Sequence, residues 1–493
     1  MYGKTTTSRS GRIGRREGML VGEIGDSSES LISSCFIGLE KKCPTENKHG
    51  LLRDDGRLRI PIQLLFTNLI PPKTGGTKIY EDMGRDARHG SGLVEGIIFL
   101  YYNSFRKKMP GEATILLAQK LSRIYEEIRV KNFTTRHFQP EILYDALGRI
   151  VKQAPDIVSS EAVGTSFEGR PIYRLTTGRG ATTVLLWSQM HGDEPTATMA
   201  IADILNYLVV MKSEEPAGQI LSSLKLHFLP MLNPDGAARC RRRTAQAIDM
   251  NRDALALVTP EARILRQLQA ALHPQFGFNL HDQELSTVGS SKELTAIGLL
   301  VPAFDEGKSD NDVRRRARRL AAIFSQAMTA CGEGRIARYD DTFEPRAFGD
   351  NMQKWGTSTL LVESGHAMND PEKRSIRKLN VIGILASLEA IATGHYERAD
   401  PAAYESLPLN GKKAYDVIIR NVVIDHGRNV RTNADLGISY QIDTHSGPTP
   451  LLVDVGDLST FTALREITAS GKSVSASSLT LGQPFDWEGI SDQ

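Results

Sequence analysis

Between Thr183 and Glu194 an apolar run, Val184-Leu185-Leu186-Trp187, stops abruptly on His191-Gly192-Asp193-Glu194. A short run that is apolar throughout, without alternation, reads as a strand buried on both faces, the kind a parallel sheet uses. At the end of such a strand an imidazole and a carboxylate three residues apart can turn toward one point, where open α/β sheets hold their ligands. Both are zinc-ligand types, and a catalytic site needs a third protein ligand plus an open position for water. His-x-x-Glu is common by itself, so the remaining chain has to supply the partners.

Upstream, helical spacing of apolar residues predicts helices over 113–130 and 141–152, then short strands over 158–166 and 170–176 joined by the turn Phe167-Glu168-Gly169-Arg170. Downstream, Ala197, Ala200, Ile201, Ile204, Leu205 and Leu208 form one face of a helix over 196–211, and a buried strand over 224–229 ends on Asn233-Pro234-Asp235-Gly236. Strand, helix and strand in that order make the crossover of a parallel sheet. A third strand over 276–280 ends on His281-Asp282-Gln283, and a fourth over 358–362 ends on Glu363-Ser364-Gly365-His366. Two further helices are predicted over 312–330 and 374–393. The first places Arg314, Arg315, Arg316, Arg318 and Arg319 outward as a solvated basic face and Leu320, Ile323, Phe324 and Met328 inward.

Three strand ends thus carry His191 with Glu194, His281, and Glu363. Two His and one Glu are a catalytic zinc ligand set, and a separate Glu is what is needed to take a proton from metal-bound water. The loop Arg241-Arg242-Arg243 through Asp249-Met250-Asn251-Arg252 adds guanidinium groups able to polarise a carbonyl and to hold a carboxylate by forked hydrogen bonds.

His191-Gly192-Asp193-Glu194, Asn233-Pro234-Asp235-Gly236, Asp249-Met250-Asn251-Arg252, His281 and Glu363-Ser364-Gly365, in that order, resemble the zinc carboxypeptidase family of metallopeptidases. The likeness runs over about 167–396 and is nearest to a bacterial branch with a β-rich tail. It implies a mixed, largely parallel, twisted eight-stranded sheet with helices on both faces; pattern reading by itself reaches a largely parallel α/β sheet. It also implies one Zn2+ per chain held by His191, Glu194 and His281, with Glu363 as general base and later acid. Among the three adjacent arginines Arg242 best matches the oxyanion residue, and Asn251 with Arg252 matches the pair that grips a terminal carboxylate. The activity implied is hydrolysis of a C-terminal peptide bond through metal-activated water. The alternatives are a zinc amidohydrolase or deacylase acting on N-acyl amino acids, and a catalytically silent carboxylate-binding protein.

This chain departs from the family pattern at Asp253 and Asp282, which bears on the shape of the pocket. The family's mobile tyrosine has no secure match: Tyr339 lies at a similar distance before Glu363, but the intervening Asp340 to Trp355 is of a different character, so Tyr339 reads first as a wall or core tyrosine. Asp193 is expected to orient His191, and Cys240 to be a packing residue. His227 and His273 read as ordinary strand and loop histidines.

The remaining sequence sets the frame. A chain of 493 residues accommodates two or three domains: a poorly patterned, disordered extension over 1–108, a catalytic domain over 109–399, and a β-rich domain over 400–493 with short strands over 415–423, 436–442, 450–455 and 473–481. The run Leu93 to Phe105 reads as one strand or helix. A net charge of +2 with 24% charged residues gives no global field that would favour nucleic acid or a membrane surface. Four scattered cysteines without a Cys-x-x-Cys pair read as reduced thiols. With neither a secretory signal pattern nor a run of roughly 18 apolar residues, the expected compartment is the cytoplasm. The expected partner is a peptide or acyl-amino-acid substrate with a free carboxylate, and the oligomeric state is left open.

Overall fold

The computed structural model describes residues 111–412, 414–443, 447–469 and 471–490, and two short strands, Arg53–Asp54 and Arg57–Leu58, paired antiparallel. The expectations for residues 1–108, including the run Leu93 to Phe105, otherwise lie outside the described residues.

Eight strands build the main sheet: β1 (Val158–Thr165), β2 (Pro171–Thr177), β3 (Thr182–Ser188), β4 (Leu224–Leu229), β5 (Phe276–Asp282), β6 (Ile297–Leu300), β7 (Ile336–Arg338) and β8 (Ser358–Ser364). Their spatial order is β7-β6-β8-β5-β3-β4-β2-β1. The central β8, β5, β3 and β4 are parallel. β6 runs antiparallel to β8, and β2 antiparallel to β4. The architecture is therefore the mixed, largely parallel α/β sheet expected.

Alternation along β3 explains why its apolar run is unbroken. Val184 and Leu186 enter the core on one face, and Leu185 and Trp187 enter the core on the other. The first face is covered by α1 (Glu112–Ile128), α2 (Pro140–Gln153), α3 (Thr196–Val210), α4 (Ala217–Ser223), and further helices over Asp312–Ala330 and Arg374–Thr393. The second is covered by helices at Pro260–Leu272 and Phe348–Lys354. In chain order these and the short helix Pro234–Ala238 are α5 (Pro234–Ala238), α6 (Pro260–Leu272), α7 (Asp312–Ala330), α8 (Phe348–Lys354) and α9 (Arg374–Thr393).

One buried ion pair clamps the first layer. Arg377 on α9 donates through Nε and Nη2 to both carboxylate oxygens of Asp203 on α3, at 2.7 and 2.5 Å. The same carboxylate accepts from Tyr125 Oη on α1 and from the Val130 amide. Both ions lie out of solvent, and every oxygen is used, which is the condition under which such a pair is tolerated.

Arg314 corrects the helical projection of α7. It is 2% exposed, donates to the Lys308 carbonyl and pairs with Asp341. The segments carrying those partners cover the first turn of the helix, so an outward position on a wheel is an inward one in the fold.

The C-terminal region forms its own five-stranded sheet, with β9 (Ala414–Asp425), β10 (Arg431–Asp443), β11 (Gly447–Gly456), β12 (Thr462–Thr468) and β13 (Ser473–Ser475). Val417, Ile419, Leu436, Ile438 and Leu452 pack one face with Phe485 and Trp487. The strand expected over 473–481 ends at Ser475 and continues as a 3-10 turn, Ala476–Ser478, while β12 carries a pairing that the sequence pattern did not signal.

Candidate active site and metal centre

Because β3, β5 and β8 are parallel neighbours, their C-terminal ends lie at one edge of the sheet. His281 and Glu363 are partners in register on β5 and β8, and His191 follows three residues after β3 ends at Ser188. A tight turn, with the Glu194 amide donating to the His191 carbonyl at 3.2 Å, brings both side chains to the same place. Gly192 is required there: a Cβ would lie 2.0 Å from the backbone of Gly236 on α5. Asn233 caps α5 by accepting from the Gly236 amide, and its own amide donates to the carbonyls of Met190 and Arg242. The two loops are thereby fastened together.

Glu194 stands between the imidazoles. Its Oε1 is 2.7 Å from His191 Nδ1 and its Oε2 is 2.7 Å from His281 Nδ1. All three residues are buried, and their ligand-capable atoms lie within 4.8 Å of one another. His191 Nε2 faces Asp249 Oδ1 at 3.0 Å, so both ring nitrogens of His191 meet carboxylates and both need a proton. Burial opposes that charge, but Glu194 and Asp249 outweigh it and hold the imidazole up at about 9. Glu194 is correspondingly held below the usual carboxylate range, against its own burial, by the two imidazoles. His191, Glu194 and His281 would hold a divalent cation in place of the protons they share, with His191 Nε2 kept on Asp249. The donor set of two imidazoles and one carboxylate suits zinc, so the residues fit the metal that the resemblance implies.

Asp249 rather than Asp193 orients His191. Besides His191 it accepts from the Asn251 amide at 2.9 Å and from Arg242 Nε at 3.2 Å. Asp193 Oδ1 is buried without a hydrogen-bond partner, and burial, reinforced by Glu194, pushes that carboxyl up to about 6. The role of Asp249 went unassigned in the sequence. Its one local signal is the position of an acidic residue capping the turn Met250–Arg252.

Arg242 reaches the same carboxylate, with Nη1 3.2 Å from Glu194 Oε1, while Arg243 turns away to the Ala247 carbonyl. Asn251 and Arg252 lie on the turn after Asp249. Asn251 Oδ1 accepts from the Phe348 amide at 2.9 Å. Arg252 Nη1 donates to the Asn251 carbonyl, and its Nε is 3.4 Å from Glu344 Oε2. Glu363 is pushed well above the usual carboxylate range, first by burial and then by the charge of Glu194.

The two departures from the family pattern resolve into structural roles. Asp253 accepts from the amides of Val258 and Thr259 and from the Thr259 hydroxyl, closing the loop that leads into α6. Asp282 accepts from Thr196 Oγ1 and pairs with buried Lys373, whose Nζ also donates to the Ser364 carbonyl. That contact ties the strand end bearing His281 to the strand end bearing Glu363. Tyr339 lies beside Gly298, with its hydroxyl donating to Gln283 Oε1 at 2.9 Å. Cys240 is buried, with Sγ 2.9 Å from His137 Nδ1.

Residues 143–282 match the pattern of the zinc carboxypeptidase family. Among curated proteins the chain is 31% identical over 110 residues to carboxypeptidase E of Caenorhabditis elegans, covering 20% of this chain and 23% of that protein. It is 29% identical over 130 residues to carboxypeptidase SOL1 of Arabidopsis thaliana, covering 26% and 24%. The matches therefore span about a quarter of the length of these relatives. Among solved structures, a metallo-carboxypeptidase from Burkholderia cenocepacia aligns with TM-score 0.41 and 18% identity over 52% of this chain and 70% of that one. Carboxypeptidase A from Helicoverpa armigera aligns with TM-score 0.43 and 16% identity over 60% and 87%. The matched segment contains His191, Glu194, Asp249 and His281 but stops before Glu363. The likeness read from the motifs is thus matched by the zinc carboxypeptidase family pattern over residues 143–282.

Proposed function

We propose that this protein is a zinc-dependent metallocarboxypeptidase that removes the C-terminal residue of a peptide. The observation that carries the reading is the register that sets Glu363 opposite His281, one strand from the buried His191 and Glu194. His191, Glu194 and His281 would hold the zinc, which would supply Lewis acidity and lower the pKa of water to about 7.

Within that site each residue has a task set by its chemistry. Glu363, held in a proton-accepting position at the end of β8, takes the proton of the attacking water and delivers it to the leaving amine. Arg242 offers guanidinium donors to the charge that develops on the scissile carbonyl oxygen. Arg252 keeps one edge on Glu344 and the Asn251 carbonyl, which leaves Nη2 to grip a terminal carboxylate together with Nδ2 of the Asn251 side chain. Asp249 fixes the ring of His191 with Nδ1 turned inward.

The test is an assay of zinc-loaded protein, with the metal-free protein as blank, on peptides with free and amidated C-termini and on N-acyl amino acids. Release of the C-terminal residue from free-carboxylate peptides is expected, and Arg252→Ala should lose these substrates far more than amidated ones. Turnover confined to N-acyl amino acids, or equal losses on both peptide sets, rejects the reading.

A further inference from the structure

The segment leading into the C-terminal sheet is stitched into the catalytic region. The Arg338 amide donates to the Pro408 carbonyl and Arg338 Nε to the Leu407 carbonyl, at 2.9 and 3.1 Å. On the other side the Gly289 amide donates to the Leu409 carbonyl at 2.9 Å, and the two-residue strands Asn410–Gly411 and Thr287–Val288 pair antiparallel. The fit is close: a Cβ on Gly411 would stand 2.1 Å from the Gly289 carbonyl oxygen. This strap holds Asn410 in one orientation.

The Asn410 side chain completes a closed polar network. Its Oδ1 accepts from Thr295 Oγ1 at 2.9 Å and from Ser286 Oγ at 3.1 Å. Its amide donates to Gln283 Oε1 at 3.3 Å. Gln283 Oε1 is the atom that receives the Tyr339 hydroxyl at 2.9 Å, and Gln283 Nε2 donates to Ser286 Oγ at 2.6 Å. A network in which every member is satisfied holds its parts more firmly than separate pairs do.

That network abuts the base. Gly298 on β6 pairs in register with Glu363 on β8. A Cβ at Gly298 would lie 2.8 Å from Gln283 Oε1, 2.8 Å from the Tyr339 ring and 3.2 Å from Glu363 Cβ, so the three side chains meet around it. The Gln283 amide also donates to the carbonyl of Ser364, the residue after Glu363, at 3.1 Å.

We propose that Asn410 is a positioning residue for the active site: through Gln283 it fixes Tyr339 beside Glu363, and it makes the segment leading into the C-terminal sheet part of the catalytic apparatus. The proposal rests on the reading of Glu363 as the base. The Asn410 amide is the group that acts. Its acceptor oxygen serves the two hydroxyls of the surrounding fold.

Asn410→Ala, Asn410→Asp, Tyr339→Phe and the two double variants test it in the full-length, zinc-loaded protein. Asp keeps both hydroxyl contacts but loses the donor to Gln283. Asn410→Asp is therefore expected to keep the melting temperature of the parent and to lose about tenfold in kcat with KM little changed, a loss in the usual range for a misplaced active-site group. In the Tyr339→Phe background the same substitution should cost nothing further, because coupled residues do not add. Equal losses in both backgrounds, or full activity in Asn410→Asp, overturn the proposal. A readout independent of turnover is the near-ultraviolet circular dichroism of Tyr339, taken as the difference from Tyr339→Phe. This signal should collapse in the Asn410 variants, and its persistence there refutes the positioning role even if the protein cleaves no peptide.

Discussion

Glu363 and His281 occupy partner positions on the adjacent parallel strands β8 and β5. Side chains at paired positions point to the same side of a sheet and stand about 5 Å apart, so the backbone itself puts a carboxylate next to the third ligand-type residue. Glu363→Gln preserves size and hydrogen bonding but cannot accept a proton. Zinc content measured by atomic absorption should stay at the parent level while turnover falls by about 10²- to 10⁴-fold. Retained activity removes Glu363 from the mechanism.

The bond from His191 Nε2 to Asp249 fixes which nitrogen faces inward. Asp249→Asn keeps an oxygen acceptor but removes the charge that supports the imidazole. Zinc affinity, measured in competition with a chromophoric chelator, should weaken about 10- to 100-fold. Asp193→Asn, which removes a carboxylate not bonded to His191, should have a much smaller effect. The reverse ranking restores the sequence expectation that Asp193 is the orienting residue.

What could be read in advance, and what could not, follows from the range of the forces concerned. β3 was legible because Val184 to Trp187 are each buried whichever face they point to, so composition alone marks the strand. β6 and β7 were not. They have four and three residues, too few to show a period, and they are held by pairing with β8 and with each other. The ligand-type residues stood out because strand ends punctuate apolar runs with His and Glu. Asp249 and Asn410 did not, since their roles depend on partners 58 and 127 residues away. Arg314 misled for the same reason: a helical wheel knows nothing of Asp341.

Arg377 and Asp203 form the buried clamp between α9 and α3. Arg377→Met leaves the Asp203 carboxylate buried with two weaker donors, Tyr125 and the Val130 amide. Unfolding in urea should show a loss of about 3–5 kcal/mol. Adding Asp203→Leu should recover part of that loss, because the unpaired charge is gone. A loss below about 1 kcal/mol in Arg377→Met contradicts the clamp.

His227 on β4 gives a pH dependence remote from the metal centre. It is 2% exposed, and its Nδ1 lies 3.0 Å from Thr176 Oγ1. Burial, with Arg174 and Lys225 adding to it, pushes the imidazole down to about 4. The unfolded chain binds this proton near pH 6.5, whereas the folded chain resists it until about pH 4. The unfolded state therefore carries more protons between those limits, so the stabilisation is complete above about pH 6.5 and is lost as pH falls toward 4. Over the whole window the loss is at most about 3 kcal/mol. His227→Gln keeps a polar partner for Thr176 and cannot titrate. Urea unfolding at pH 7.5 and pH 4.5 should show the parent losing more stability than the variant, with groups elsewhere cancelling in the difference. Parallel losses in the two proteins mean that His227 takes up its proton as readily in the fold as outside it.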